Sequence, residues 1–275
     1  GQGGIVLPAG ALPDRIFRET GAETGSRMKA LSACLSTLFL GLVGCAPQTV
    51  ASPPEGATII SIVGAIHGQH RSSERYSLEV LRQAIVKFDP DIVMVELPPD
   101  RFGIASANFD QFGEVRESRA DNFPELTDVV FPLRKDLGFE MIPVAAWTAV
   151  EKRLAADPGR AEDWSEYQAA IQQYGKALAG RSDDPAFIHS GAYDAAVKAR
   201  QKTYERLFGD DLGSGGWRAI NAAHLANINN ALDRVKGQEK RVLILFGAAH
   251  KYKIVEGLEE REDVFLADSA PLFGK

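Results

Sequence analysis

The sequence predicts an α/β fold: a central, largely parallel or mixed sheet flanked by helices, with a mostly helical insertion or cap. Three observations carry this. Short apolar runs rich in Ile and Val are bounded by turn residues, as strands buried on both faces are. Amphipathic helical patterns separate them, so neighbouring strands should run parallel, with right-handed crossovers. Two of the runs end in the same signature. Ile59-Ile60-Ser61-Ile62-Val63 leads into Gly64-Ala65-Ile66-His67, and Val242-Leu243-Ile244-Leu245-Phe246 leads into Gly247-Ala248-Ala249-His250.

In chain order, residues 1–27 lack periodicity and read as an upstream extension without structural meaning. Met28-Lys29 begins a short apolar stretch that ends in Leu42-Val43-Gly44-Cys45. A basic start, a brief apolar segment and a small-residue cleavage site describe a secretory signal over 28–45. The stretch is shorter than the roughly 20 residues of a comfortable membrane span. A buried helix of the domain is the plainer alternative. Leu-Val-Gly-Cys resembles the bacterial lipobox, whose cysteine (here Cys45) is lipidated and becomes the new amino terminus. Two or more lipid chains give stable membrane anchoring. Ala46, in place of an aspartate, leans toward the outer membrane, facing the periplasm. Processing there would leave no free thiol, hence no disulfide framework and no cysteine catalysis.

Residues 46–56 read as a tether, kept extended by Pro53-Pro54. A single α/β domain is expected over 57–275. Its first strand spans Thr58–Val63, followed by a helix over Glu74–Phe88 capped by Ser72-Ser73. Asp89-Pro90 stops that helix, and Asp91–Val95 forms a second buried strand ending at Glu96. Residues 98–114 read as a loop bearing Arg101. A helix over Pro124–Leu137 is stopped by Gly138, and Phe139–Ala145 is a third strand. Residues 147–236 read as the helical insertion, broken near 157–159, 183–185 and 209–216. The strand Arg241–Phe246, the helix Lys251–Arg261 and the strand Asp263–Ala267 close the domain.

Apolar residues make up 45% of the chain and charged ones 25%, enough for a substantial core. A net charge of −6 without a basic patch argues against nucleic acid as a partner. Lys198, Arg200, Lys202 and Arg206, interleaved with acids, read as a solvated helix face.

Parallel strands present their carboxyl ends on one rim, where α/β sheets bind ligands. His67, Glu96 and His250 all fall on that rim. Two imidazoles and a carboxylate suit Zn²⁺, Mn²⁺ or Co²⁺ with positions left for water. Such a metal acidifies bound water for attack on a carbonyl or phosphoryl centre. Without metal, one histidine could act as a general base oriented by Glu96. The plainer alternative has each histidine bonded to a loop carbonyl. His70 reads as an exposed loop histidine, and His189 and His224 as structural or solvent-facing. Arg101 is either a substrate-anion clamp, a support for Glu96 or a surface residue. Arg218 and Asn221, one helical turn apart, are expected to face something polar. No zincin, nucleophile-elbow, phosphate-loop or dinucleotide motif is present.

With these residues in place, the chain resembles the TraB/PrgY/GumN-like family. That family lies in a superfamily with the Tiki proteases, the erythromycin esterases and the ChaN-type haem-binding lipoproteins. The likeness rests on Gly64–His67, on Pro90–Glu96 with Arg101, on Asn221 with Ala226-Asn227-Ile228, and on Arg241–Tyr252. It implies an α/β fold with both Gly-x-x-His motifs and the glutamate in one pocket, a divalent-metal protease site in Tiki-like members. Family members often carry Arg-Asn on the late helix; here Ile220 precedes Asn221, and Arg218 lies a turn away. The expectation is a lipid-anchored envelope protein with a metal-assisted hydrolase site for peptide or ester bonds. His67, His250 and Glu96 would be ligands, Glu96 alternatively a general base, and Arg101 and Asn221 would position substrate. The alternatives are a non-catalytic lipoprotein binding haem or another small ligand, and a regulatory envelope protein with a vestigial pocket.

Overall fold

A computed structural model describes residues 52–118, 120–146, 158–213 and 216–274. The expected extension, signal segment and lipidated Cys45 lie outside the described residues, as do most of the tether and residues 147–157 of the insertion. No helix among the described residues is long and apolar enough to cross a membrane.

Five strands form one sheet: β1 (Thr58–Ala65), β2 (Ile92–Val95), β3 (Glu140–Pro143), β4 (Arg241–Gly247) and β5 (Val264–Ala267). Their order is β3-β2-β4-β1-β5 and every pairing is parallel. The α/β class is therefore as the sequence predicts, with the parallel alternative realised throughout. Side chains alternate between two cores, as the period of two requires. Val63, Val95 and Leu245 face one core, with α1 (Leu78–Phe88), α2 (Pro99–Phe112) and α3 (Phe131–Leu137) packed on it. Ile62, Met94 and Ile244 face the other, covered by α7 (Trp217–Asp233) and α8 (Lys251–Leu258).

The connection from β1 to β2 passes over β4, while that from β4 to β5 passes back over β1. Connections leaving two neighbouring strands in opposite directions open a crevice at their carboxyl ends. His67 and His250 stand at those two ends.

Several elements differ from expectation. Most of residues 98–114, expected as a loop, forms the helix α2 (Pro99–Phe112). Pro99 sits at its start, where its fixed φ suits a first turn; Ala105 and Phe109 bury one face, and Gly113 in the left-handed region ends it. Its scattered polar residues and Gly103 hide this pattern. α1 starts at Leu78, since Ser77 rather than Ser72-Ser73 accepts the capping bond from the Val80 N–H. Residues Glu125–Val130 wind as a π-helical turn leading into α3. The helical stretch also divides in two. α4 (Ala161–Leu178) and α6 (Gly191–Leu212), joined through the short α5 (Pro185–Ile188), share a small core of Tyr167, Leu207, Phe208 and Leu212. α7, by contrast, is the crossover helix lying on the sheet.

Candidate functional site

The first Gly-x-x-His turn is braced by histidines of its own. The Tyr76 hydroxyl donates to the Gly64 carbonyl at 2.8 Å. The Gly64 N–H donates to His189 Nε2, and the Ile66 N–H to His70 Nε2, both at 3.0 Å. The other ring nitrogens donate onward, His189 Nδ1 to the Pro185 carbonyl and His70 Nδ1 to the Tyr76 carbonyl, each at 2.7 Å. An imidazole that accepts at one nitrogen and donates at the other is neutral. Burial agrees: it pushes His189 down to about 4 and lowers His70 as well. His70 is thus a buried brace, not the exposed loop residue expected. The turn delivers His67 with a φ of +50°, a left-handed conformation uncommon outside glycine.

The two turns touch. A β-carbon on Gly64 would lie 2.9 Å from Ala248 Cα, and one on Gly247 would lie 2.5 Å from His67 Nε2 and 3.3 Å from Glu96 Oε2. Both glycines exist for close approach. The Gly247 N–H donates to Glu96 Oε2 at 2.6 Å. Glu96 Oε1 faces His250 Nε2 at 3.9 Å. The structure therefore brings His67, Glu96 and His250 together around one glycine.

Each histidine is aimed from behind. His67 Nδ1 donates to Glu125 Oε1 at 2.7 Å, and the ring meets Phe123 edge-on. His250 Nδ1 donates to Asn221 Oδ1 at 2.8 Å. Asn221 Nδ2 donates to the Trp217 carbonyl at 2.7 Å, which fixes which way the amide points. The Trp217 ring stacks on His250 with centroids 4.5 Å apart. His224 accepts the Ala146 N–H on Nδ1 and sits edge-on to His250 at 5.2 Å, its Nε2 buried without a partner.

The two histidines are opposite in charge preference. Burial opposes the His67 imidazolium, but the charge and hydrogen bond of Glu125, with Glu96 adding, outweigh it and raise His67 to about 9. Its side chain is 37% exposed, so solvent tempers that attraction. His250 is pushed well below its ordinary value, first by burial and then by neighbouring His224, His67 and Arg200. It is neutral, with its proton on Nδ1, so Nε2 offers a lone pair toward a carboxylate oxygen.

Asn221 therefore orients the His250 ring through its Oδ1. Arg101 lies on α2 and pairs with Asp100 at 3.3 Å and with buried Glu117 at 3.8 Å. Arg218 points outward, 78% exposed, and pairs with Glu205, so it does not share Asn221's polar face. Sequence reasoning missed Glu125. It opens a segment whose Leu126, Val129 and Val130 are buried, and the π-helical turn carries it inward with them.

Among the described residues no group of three or more His, Cys, Asp or Glu side chains is placed to hold a metal ion. The donor chemistry nonetheless suits a divalent cation. It comprises two imidazole Nε2 atoms and a carboxylate, each imidazole held through Nδ1 by an outer acceptor, the usual arrangement behind metal-binding histidines. No known family model, curated protein or solved structure matches the chain.

Proposed function

We propose that the chain is a hydrolase of ester or peptide bonds working with a divalent cation held by His250, Glu96 and His67. The single observation behind this is the convergence of His250 Nε2 on Glu96 Oε1 at 3.9 Å beside Gly247, the glycine that His67 Nε2 also approaches. Imidazole and carboxylate donors brought together in this way suit a borderline divalent cation. When bound, it would polarise the scissile carbonyl and acidify a water, so that water adds across the bond to leave an acid plus an alcohol or amine.

The chain's own residues do the rest. The Gly247 N–H donates to Glu96 Oε2 and sets Oε1 toward His250, where it would act as ligand or proton acceptor. Asn221 holds the His250 tautomer that exposes Nε2. Glu125 keeps His67 Nδ1 protonated and leaves Nε2 as the site-facing atom. In the metal-free protein His67 carries a second proton up to about pH 9, which a cation must displace, so its affinity should rise with pH. The lipobox resemblance at Cys45 would place this site outside the cytoplasm on a lipid anchor.

The test is calorimetric titration of chelator-treated protein with Zn²⁺, Mn²⁺ and Co²⁺, alongside hydrolysis of a p-nitrophenyl ester panel. His250→Ala should lose both binding and turnover. Full metal loading with unchanged turnover in that variant would sink the proposal.

A further inference from the structure

Arg200 reads in sequence as part of a solvated helix face, yet it is 7% exposed. Its Nε has no hydrogen-bond partner, and among the described residues the guanidinium has no carboxylate in ion-pair range. Its companion is the Tyr174 ring, 4.3 Å below the guanidinium carbon. Tyr193 and Tyr167, both with burial raising their pKa, are neutral phenols close enough to feel its charge. A buried cation without a counter-ion is among the more costly features a fold can keep.

Its position ties it to the site. Val197, one helical turn before Arg200 on α6, shares a core with Trp217, the ring stacked on His250. Asp194 on the same helix binds Lys251, the residue next to His250, at 2.6 Å. The charge of Arg200 also acts on His250 itself.

We propose that Arg200 anchors a free carboxylate of the substrate, so that the site acts on half-esters or amides of dicarboxylic acids, or on peptides bearing a carboxylate close to the scissile bond. A single guanidinium matches a monoanion, and its planar fork pairs bidentately with a carboxylate. This rests on the hydrolase reading for its chemistry but not for its binding.

The experiment titrates full-length protein with glutarate, and separately with inorganic phosphate, in wild type, Arg200→Met and Arg200→Lys. In parallel it compares hydrolysis of mono-p-nitrophenyl glutarate with that of neutral p-nitrophenyl butyrate. Arg200→Met should weaken glutarate binding and kcat/KM for the half-ester at least tenfold. It should lower butyrate turnover far less than half-ester turnover and hold or raise Tm, since an unpaired buried charge is removed. Arg200→Lys should fall between the two. Glutarate binding lost in Arg200→Met while no ester is turned over by wild type would keep the anchor and reject the hydrolase. Normal half-ester turnover with Arg200-independent glutarate binding would reject the anchor and keep the hydrolase. A wild type that binds no glutarate, one that prefers phosphate, or an Arg200→Met protein that loses its fold overturns the anchor.

Discussion

Gly247→Ala separates site chemistry from stability. Gly247 has φ −49° and ψ 130°, which alanine adopts without strain. Its added methyl would lie 2.5 Å from His67 Nε2 and 3.3 Å from Glu96 Oε2. Ordinary contact requires about 3.5 Å, so His67 must retreat by about 1 Å while Glu96 yields by tenths. Overpacking of this kind costs about 1–3 kcal/mol, and the exposed edge of His67 places this site at the low end. A 1 Å misplacement of a reacting group costs about 100-fold in rate. The expected result is a roughly 100-fold loss of kcat/KM and of Zn²⁺ affinity, with a Tm decrease of only about 2–4 °C for about 1 kcal/mol in a chain of this size. Gly64→Ala is the counterpart. Its methyl would meet the Ala248 backbone at 2.9 Å, which cannot rotate away. It should lose the larger share of stability, toward about 3 kcal/mol. Thermal denaturation and ester kinetics on both proteins decide the matter. Wild-type turnover in Gly247→Ala, or the two profiles exchanged, refutes the geometry.

Glu125→Gln should return His67 from about 9 toward the ordinary 6.5, read by NMR titration of its ring protons. Because His67 is raised on folding, its contribution to stability is full below pH 6.5 and lost as pH climbs through 9. Denaturation midpoints of wild type should therefore fall between pH 6.5 and 9, and those of Glu125→Gln should stay flat. On the acid side, His189 and His224, both held near 4 by burial, make stability fall as pH drops from 6.5 toward 4; His189→Asn should reduce that slope in the same assay. Tyr76→Phe strips the buried Gly64 carbonyl of its donor and should cost about 1–3 kcal/mol in chemical denaturation. Asn221→Leu frees the His250 tautomer and should lower metal affinity about 10–100-fold by calorimetry while the fold persists.

The parts legible in sequence are those set by local pattern. Buried parallel strands must be apolar on both faces, so β1, β2 and β4 stand out as runs, and the residues after them stand on one rim. His67, Glu96 and His250 follow from that alone. What stayed hidden depends on distant partners. His70 and His189 look like loop residues because Tyr76 and Gly64, which they serve, are reached only through the fold. Glu125 looks like an acid at a helix start, favourable there in any case, until the π-helical turn carries it inward to His67. Arg200 alternates with acids along α6 as a solvated arginine does, and only the packing of α4 and Tyr174 over it reveals burial. The helix α2 was lost to its polar residues, since its burial rests on just Ala105 and Phe109.

The distribution of cost within the molecule carries the last step. Over most of the described fold, local preference and tertiary packing agree. The strands are apolar, α1 is capped by Ser77, and the braces of the first turn are satisfied at both ring nitrogens. Disagreement collects beside the carboxyl ends of β1, β2 and β4. There His67 is held at positive φ and His224 Nε2 lacks a partner, and on the adjoining α6 Arg200 is buried without a counter-ion. A left-handed non-glycine residue alone costs on the order of 1–3 kcal/mol. Stability by itself would relax each of these features, and a single substitution would suffice at most of them. A ligand that brings a cation to His250 and Glu96 and a carboxylate to Arg200 engages this region and relieves the unpaired charge. Such a ligand binds the folded state alone and stabilises it by mass action. Zn²⁺ and glutarate should therefore each raise the wild-type Tm, and together raise it further than either does alone.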